Sequence, residues 1–316
     1  MRIAFMGTPM FAVEALKALV ERTTHEIVFV VTQPDKPQGR GLRLVSPPVK
    51  ILANRHNIPV HQPASLKANE QMRMVFASAG LDIVVVVAYG KMIPADWLGL
   101  PRFGFVNVHA SLLPEFRGAS PINRAILAGK TVTGVSIMRI EEEMDAGPVY
   151  ARVSTPIGED EDASSLADRL SVLGAEKLLE VLPLIASGAL TAEPQDHARA
   201  TYAPPLRREE GEIDWTMSAR AICTMVRGLV PWPCAYTFLD GKMLKILKAR
   251  WEKAAPGEPP GTMLRQKRGV CIACADGFVI PLELQTEGKR PLSGEAFACG
   301  LRSPRAHLGG QGGVDA

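Results

Sequence analysis

The chain has 316 residues, of which 47% are hydrophobic and 22% charged, and its formal net charge at pH 7 is +3. This composition is typical of a globular protein and excludes a collagen-like or largely disordered chain, while the length allows one large domain or two ordinary ones. The small net charge excludes a uniformly basic nucleic-acid-binding surface, so any acidic partner must bind to a local basic patch.

The chain begins with a predicted strand from Arg2 to Met6, followed by the turn Gly7-Thr8-Pro9 and an amphipathic helix. Thr8 is predicted to cap this helix, with Pro9 at its first position. A strand–turn–helix start is typical of nucleotide-binding α/β folds, but the turn holds one glycine where a dinucleotide fingerprint needs three. The sequence therefore argues against NAD as a cofactor.

A segment rich in proline and glycine runs from Gln33 to Lys50, between a predicted strand and a predicted helix. Lys36, Arg40 and Arg43 make this segment basic, and its composition predicts an irregular loop. A run of charge usually just faces water, so a solvated surface loop is the default interpretation. The alternative is a loop that binds phosphates.

The most apolar run of the chain, Leu81 to Ala88, is rich in β-branched residues. It predicts a central parallel strand that is buried on both faces. Tyr89, Gly90 and Met92 follow at the carboxyl edge of the predicted sheet, where ligands bind in open α/β folds. The sequence alone does not separate a ligand contact from a simple core position for these residues.

A second strand with polar residues at its end lies within the stretch from Gly104 to Pro121. Because side chains alternate along a strand, Asn107 and His109 are predicted to share one face. An amide beside an imidazole can stabilise a developing charge and move a proton. Taken alone, however, the pattern Asn-x-His is more often a strand-end turn with a structural or surface histidine.

The remainder of the first predicted domain, residues 1–189, alternates strands and helices. An acidic segment with four acids in five residues, which would ordinarily be a solvated turn, lies between two predicted strands and ends at Asp145. Residues 190–206 are polar and broken by proline, as is typical of a linker. The sequence thus predicts an α/β fold with a Rossmann-like, mostly parallel sheet in its N-terminal domain.

Residues 207–316 form the second predicted domain, whose short alternating segments and glycine turns predict a smaller β-barrel of the OB-like type. All five cysteines lie in the last third of the chain, and their odd number argues against a disulfide framework. Cys271 and Cys274 form a lone CxxC in an apolar stretch. They predict buried thiols, and no metal site is expected.

Several of these segments together resemble the folate-dependent formyltransferases, and the resemblance spans nearly the whole chain. It rests on the following matches: Ala4–Pro9, Val87–Gly90, Asn107-Val108-His109, Ser111-Leu112-Leu113-Pro114, Arg117-Gly118, Glu143–Gly147 and Pro231-Trp232-Pro233. In that family an Asn, a His and an Asp act together on 10-formyltetrahydrofolate. The resemblance therefore implies that Asn107, His109 and Asp145 are catalytic.

The resemblance also implies the partners of the remaining site residues. The folate co-substrate would bind beside Ser111, Leu112, Leu113 and Pro114, and beside Tyr89, Gly90 and Met92. Lys36, Arg40 and Arg43 would lie beside the acceptor end of a tRNA, and Arg117 would either bind that end or brace its loop. The expected reaction transfers the formyl group of 10-formyltetrahydrofolate to the methionine amino group of initiator methionyl-tRNA. We expect a cytoplasmic monomer with no metal, no NAD and no membrane partner.

Three alternatives stay open at this stage. The same Asn–His–Asp chemistry serves formyltransferases that act on a sugar nucleotide or another small amine, and hydrolases that release formate from formyltetrahydrofolate. A protein that binds RNA without catalysis is the alternative of a different class. In that last case, replacing His109 with alanine would leave function intact.

Overall fold

A computed structural model describes residues 1–38 and 43–309 of the chain, and these form two units. The first unit comprises Met1–Pro121, Val132–Pro156 and Ala167–Pro204, and the second comprises Ile122–Thr131, Ile157–Leu166 and the chain from Pro205 onward. The two short segments of the second unit that precede residue 167 lie within residues 1–189, which the sequence predicts to be the first domain. The boundaries at 189 and 207 stay predictions.

The main sheet of the first unit has seven strands in the order β5-β2-β1-β6-β7-β8-β9. Pairing is parallel from β5 to β7 and antiparallel for β7–β8 and β8–β9. A two-stranded antiparallel hairpin, β3–β4, is separate. The strands are β1 (Arg2–Gly7), β2 (Glu26–Val31), β3 (Lys36–Gln38), β4 (Arg43–Val45), β5 (Val60–His61), β6 (Ile83–Val87), β7 (Phe105–His109), β8 (Val132–Arg139) and β9 (Val149–Pro156).

Seven α-helices lie along the described chain, and no helix within residues 1–38 and 43–309 is long and apolar enough to cross a membrane. They are α1 (Val13–Arg22), α2 (Pro48–Arg55), α3 (Glu70–Ser78), α4 (Pro121–Leu127), α5 (Ala163–Ser187), α6 (Ala219–Gly228) and α7 (Gly294–Cys299).

The core of the first unit forms where apolar residues run continuously along the central strands. All five residues of β6 are buried, as predicted for a parallel strand covered on both faces. An aromatic cluster fills one side of the sheet, where the Phe76 ring lies 5.1 Å from Phe29 edge-on and 6.1 Å from Phe105 in a stacked arrangement. Because the central strands are parallel, their carboxyl ends meet at one edge of the sheet.

Two local predictions are wrong. Thr8 does not cap a helix: its hydroxyl donates to the Tyr89 carbonyl oxygen over 3.2 Å, and a short 3₁₀ turn at Met10–Ala12 precedes α1. The irregular loop predicted around residue 40 contains the β3–β4 hairpin. Pro37, opposite Leu44, is tolerated there because a two-stranded pair needs no hydrogen bond on its outer edge.

The second unit contains an antiparallel sheet with strand order β10-β11-β14-β13-β12-β16, and β15 pairs with β14. The sheet curls, since the Gly309 N–H just beyond β16 donates to the Phe238 carbonyl of β10. The predicted barrel is therefore confirmed as a curled antiparallel sheet. Its strands are β10 (Ala235–Leu239), β11 (Lys242–Lys253), β12 (Thr262–Gln266), β13 (Gly269–Cys274), β14 (Gly277–Thr286), β15 (Leu292–Ser293) and β16 (Arg305–His307).

Candidate active site

The site is built at the carboxyl end of β7, between the parallel strand β6 and the antiparallel strand β8. Asn107 and His109 both face Asp145, which follows β8, so the predicted alternation of side chains holds. His109 is 5% exposed, whereas Asn107 is partly exposed. Three groups of different chemistry, an amide, an imidazole and a carboxylate, thus meet at one strand end.

The His109 ring is oriented by a backbone carbonyl. Its Nε2 lies 2.9 Å from the Phe116 carbonyl oxygen, which can only accept a hydrogen bond. Nε2 therefore carries a proton, and Nδ1 is the nitrogen that is free to gain or lose one. Nδ1 lies 3.7 Å from Oδ2 of Asp145. The exchangeable position of the ring thus faces the carboxylate.

The Asp145 carboxylate contacts every other member of the cluster. Its Oδ2 accepts a hydrogen bond of 2.8 Å from the Gly118 N–H, and its Oδ1 lies 3.5 Å from Nδ2 of Asn107. The side chain is 17% exposed, so a substrate can still reach it. Asp145 itself has a φ of 50°, in the left-handed region that most residues avoid.

The loop that carries Gly118 is held by a distant segment of the same unit. The Arg117 N–H donates to the Thr201 carbonyl over 2.8 Å, and the Arg117 carbonyl accepts from the Ala203 N–H over 2.7 Å. Gly118 has a φ of 117°, and a Cβ there would stand 2.8 Å from the Ala203 carbonyl oxygen. Only glycine fits at this close approach.

Hydrogen bonds of buried serine hydroxyls hold the Ser-Leu-Leu-Pro segment after β7. The buried Ser111 hydroxyl donates to the Glu115 carbonyl. The Ser136 hydroxyl accepts from the Leu113 N–H over 3.0 Å and donates to the Ser111 carbonyl over 2.7 Å. Leu112 and Pro114 remain partly exposed, whereas the side chain of Leu113 is 2% exposed. Folate contacts by Ser111 and Leu113 stay predictions, and they would involve backbone atoms.

Tyr89, Gly90 and Met92 follow β6, the strand next to β7. The Tyr89 ring is 2% exposed, and burial raises its pKa to about 12. The Tyr89 carbonyl accepts from Nε2 of Gln33 over 2.9 Å. Gly90 is exposed and has a φ of 78°, and Met92 is 69% exposed. Met92 and the backbone at Gly90 are therefore available to a ligand, whereas the tyrosine ring belongs to the core.

The predicted tRNA-binding residues lie on or next to the β3–β4 hairpin. Lys36 is exposed, and its Nζ donates to Oε1 of Gln33 over 2.8 Å. Arg43 begins β4, and Arg40 lies outside the described residues. Nearby, Nζ of Lys50 forms an ion pair with Oδ2 of Asp35 over 2.9 Å, so this basic charge of the segment is already neutralised.

Two buried polar side chains adjoin the cluster: Arg117, which the resemblance implies would bind the tRNA end or brace its loop, and Gln195, which the sequence did not indicate. Arg117 is 1% exposed, and its Nε and Nη2 donate to Oε1 of Gln195 over 3.1 and 2.9 Å. Gln195, 5% exposed, in turn donates from Nε2 to the carbonyls of Asp145 and Gly147. The sequence placed Gln195 in a linker, where a single glutamine among polar residues carries no recognisable pattern.

A cavity of about 570 Å³ borders this hydrogen-bond network at Gln195. Its wall includes Arg139, Ala146, Tyr150, Leu190, Gln195 and His197. Burial raises the pKa of the Tyr150 phenol, and Arg139 lowers it in part. The cavity wall does not include Asn107 or His109, so it is separate from the cluster at the end of β7.

The arrangement suits chemistry at a carbonyl group. An amide N–H and an imidazolium N–H can donate to a developing oxyanion, and the imidazole can also move a proton. Within residues 1–38 and 43–309, no group of three or more His, Cys, Asp or Glu side chains could hold a metal ion.

Comparison with sequence families gives two matches. Residues 1–182 match the family described as "Formyl transferase", and residues 205–302 match "Formyl transferase, C-terminal domain". A methionyl-tRNA formyltransferase from Geotalea uraniireducens is 46% identical over 312 residues, covering 98% of each chain. Another, from Methylococcus capsulatus, is 47% identical and covers 94% of this chain and 96% of its own.

Solved structures share the fold at low sequence identity. HypX from Aquifex aeolicus, solved in complex with tetrahydrofolic acid, has a TM-score of 0.66 at 20% identity, covering 95% of this chain and 47% of that one. The sugar 3N-formyl transferase WlaRD has a TM-score of 0.66 at 16% identity, covering 92% of this chain and 99% of its own. At these identities the likeness concerns the fold alone.

Proposed function

Since this chain belongs to the formyltransferase family, and within it to the methionyl-tRNA formyltransferases, we propose that it transfers a formyl group from 10-formyltetrahydrofolate to the methionine amino group of initiator methionyl-tRNA. The observation that carries the proposal is the match to relatives of that name over at least 94% of both chains. The cluster of Asn107, His109 and Asp145 supplies the chemistry that such a transfer needs.

Attack of an amine on a formyl group places negative charge on the formyl oxygen. Asn107 is partly exposed, and its amide can donate to this oxygen as the charge develops. His109 provides a second donor at Nδ1 when the ring is protonated. The two donors point from the same face of β7, so both can bind one oxyanion without moving the backbone.

The attacking amine must also lose a proton, and the leaving nitrogen must gain one. Nδ1 of His109 performs this transfer, because Nε2 is committed to the Phe116 carbonyl. Asp145, with Oδ2 at 3.7 Å, stabilises the charged ring. No side chain becomes a covalent nucleophile in this scheme.

The surroundings of the cluster fit a folate. When bound, 10-formyltetrahydrofolate supplies the activated formyl group. Leu112, Pro114 and Met92 present apolar surface, and Gly90 leaves its backbone accessible, so that a flat ring can pack against these groups. The side chains of Ser111, Leu113 and Tyr89 are buried beneath this apolar surface and support it.

The tRNA would bind through positive charge. Lys36 is exposed on the hairpin, and Arg40 and Arg43 add charge in the same segment. These cations bind the phosphates of the acceptor end, and an arginine can also stack on an unpaired base. We further propose that the protein acts as a cytoplasmic monomer, which light scattering after size-exclusion chromatography would test.

The deciding experiment follows labelled formyl from 10-formyltetrahydrofolate to methionyl-tRNA, with a UDP-amino sugar and water as rival acceptors. Wild-type protein should label the tRNA, and His109→Ala should lose at least about 10³-fold in kcat while remaining folded. His56→Ala, at an exposed histidine of the same unit, is the matched control and should keep full activity. Labelled sugar, or formate release without labelled tRNA, would contradict the proposed acceptor.

A further inference from the structure

We propose that Gln195 is a positioning residue, which fixes the catalytic carboxylate of Asp145 by holding the backbone of residues 145–147. The inference rests on the proposed function, because it assigns Gln195 to the same reaction. Gln195 does not touch the reacting atoms. It acts through the loop that presents Asp145.

The side chain of Gln195 uses its full hydrogen-bonding capacity. Nε2 donates to the Asp145 carbonyl over 2.8 Å and to the Gly147 carbonyl over 2.6 Å. Oε1 accepts twice from the Arg117 guanidinium. An amide has two N–H donors and two acceptor lone pairs, so all four sites are occupied. A buried amide bound on all sides has a single orientation.

The loop that Gln195 holds needs such support. Asp145 has a φ of 50°, and a non-glycine residue keeps this conformation only where its surroundings enforce it. Its carboxylate meets Gly118, His109 and Asn107 at 2.8, 3.7 and 3.5 Å. A small rotation of the backbone at this residue would break all three contacts.

The same amide also fixes the opposite side of the carboxylate. Arg117 directly precedes Gly118, whose N–H donates to Oδ2 of Asp145. Arg117 also lies 3.6 Å from Glu143, but that carboxylate is 64% exposed and is a weaker anchor. The buried hydrogen bonds between Arg117 and Gln195 therefore connect the loop of the donor Gly118 to the loop of the acceptor Asp145. Their separation is set by side chains that never meet the substrate.

Gln195→Glu tests this role because it keeps the acceptor oxygen of the side chain and removes its N–H donors. The new carboxylate still accepts from Arg117, but it has no N–H for the Asp145 and Gly147 carbonyls and repels them. We expect kcat for formyl transfer to fall about 10- to 100-fold, with KM for both substrates within about threefold of wild type. The melting temperature should fall by several degrees, because two carbonyls lose their buried donor, but the variant should remain folded at the assay temperature. Thr191→Ala, on the same segment and cavity wall, is the control and should match wild type.

A double-mutant cycle distinguishes positioning from a general structural effect. If Gln195 acts through the carboxylate, Gln195→Glu should cost less than about twofold in an Asp145→Asn background. Fully additive losses, or a wild-type kcat in the single variant, would overturn the inference. If Gln195→Glu does not fold, Gln195→Asn, whose amide is one methylene shorter, should show the same loss of kcat and the same non-additivity.

The proposed tRNA substrate and the proposed role of Gln195 can be contradicted independently of each other. Wild-type protein that formylates a different acceptor would contradict the proposed tRNA substrate, and the cycle would then be measured with that acceptor. Wild-type protein that formylates methionyl-tRNA alongside an unimpaired Gln195→Glu variant would contradict only the role of Gln195.

Discussion

Phe116, Gly118 and Asp145 all adopt left-handed backbone conformations around the candidate site, with φ of 58°, 117° and 50°. Two of them are not glycine, and such conformations are concentrated at functional sites because packing and hydrogen bonds must enforce them. Here the Phe116 carbonyl orients the His109 ring, and Asp145 presents its carboxylate to that ring. The unusual backbone therefore sets the chemistry of two side chains.

Asp145→Asn should separate the charge of this residue from its shape. The asparagine oxygen can still accept from the Gly118 N–H, so we expect stability close to that of wild type. The imidazolium of His109 loses its anionic neighbour, and kcat should fall about 10²- to 10⁴-fold. Single-turnover kinetics with saturating folate and tRNA would measure the loss. A variant with wild-type kcat would show that the charge is not used.

The sequence predicts part of this site and misses part of it for a physical reason. The alternation along β7 is local, and it correctly predicts that Asn107 and His109 share a face. The bridge from Arg117 to Gln195 joins residues 78 positions apart, and Gln195, unlike Arg117, belongs to no recognisable motif. Nothing in a single sequence indicates which distant amide will bury itself against which carbonyl.

Among the elements, β8 approaches β9 so closely that one position admits no side chain. A Cβ at Gly134 would lie 2.1 Å from the Val153 carbonyl oxygen and 2.6 Å from Cδ2 of Leu112. Gly134→Ala should therefore lower the free energy of unfolding by about 3 kcal/mol, measured in urea. It should also raise KM for the folate, since Leu112 must move.

Gly99→Ala is the matched control, because a Cβ at that position meets no atom within 4 Å. Its free energy of unfolding should stay within about 0.5 kcal/mol of wild type. Equal stability of the two alanine variants would contradict the close approach of β8 and β9.

The β3–β4 hairpin supports a prediction about tRNA. Lys36→Ala and Arg43→Ala should each raise KM for methionyl-tRNA and leave KM for the folate unchanged. Each lost phosphate contact should also make the salt dependence of kcat/KM shallower by about one unit of the log–log slope. Lys67→Ala, at an exposed lysine outside the hairpin, is the control. An unchanged salt dependence in both hairpin variants would contradict phosphate binding there.

The elements that the sequence predicts well are those with strong local patterns. The five buried β-branched residues of β6 are recognisable directly. The two-residue β15 and the three-residue β3 and β16 are too short to show a period. Such short strands form because a neighbouring strand offers them hydrogen bonds, which is information that the local sequence does not contain.

For the whole molecule, the cysteines predict how stability changes with pH. Four of the five free thiols are buried, and burial raises the pKa of Cys223 to about 12, with Cys274 adding to the effect and Arg227 opposing it. Between the ordinary thiol pKa of about 8.5 and that value, the unfolded chain loses a proton that the folded protein keeps. The free energy of unfolding should therefore be at its full value below about pH 8.5 and fall as the pH rises.

Urea unfolding at pH 7.0 and about pH 9.5 under reducing conditions measures this fall, which should amount to about 1 kcal/mol for Cys223 alone. Cys223→Ala removes the titrating thiol and should show a correspondingly smaller decrease between the two pH values. An identical decrease in both proteins would contradict the assignment to Cys223.

The position of Gln195 along the chain has a consequence for synthesis. A chain emerges from the ribosome with its N-terminal residues first, so Asn107, His109 and Asp145 are all made before the residues that hold their loops. A nascent chain that stops before Gln195 contains the three catalytic side chains but lacks the amide that fixes Asp145 and the backbone of 201–203 that pairs with Arg117. Competence for catalysis should therefore arise late in translation, after the last segment of the first unit has left the exit tunnel.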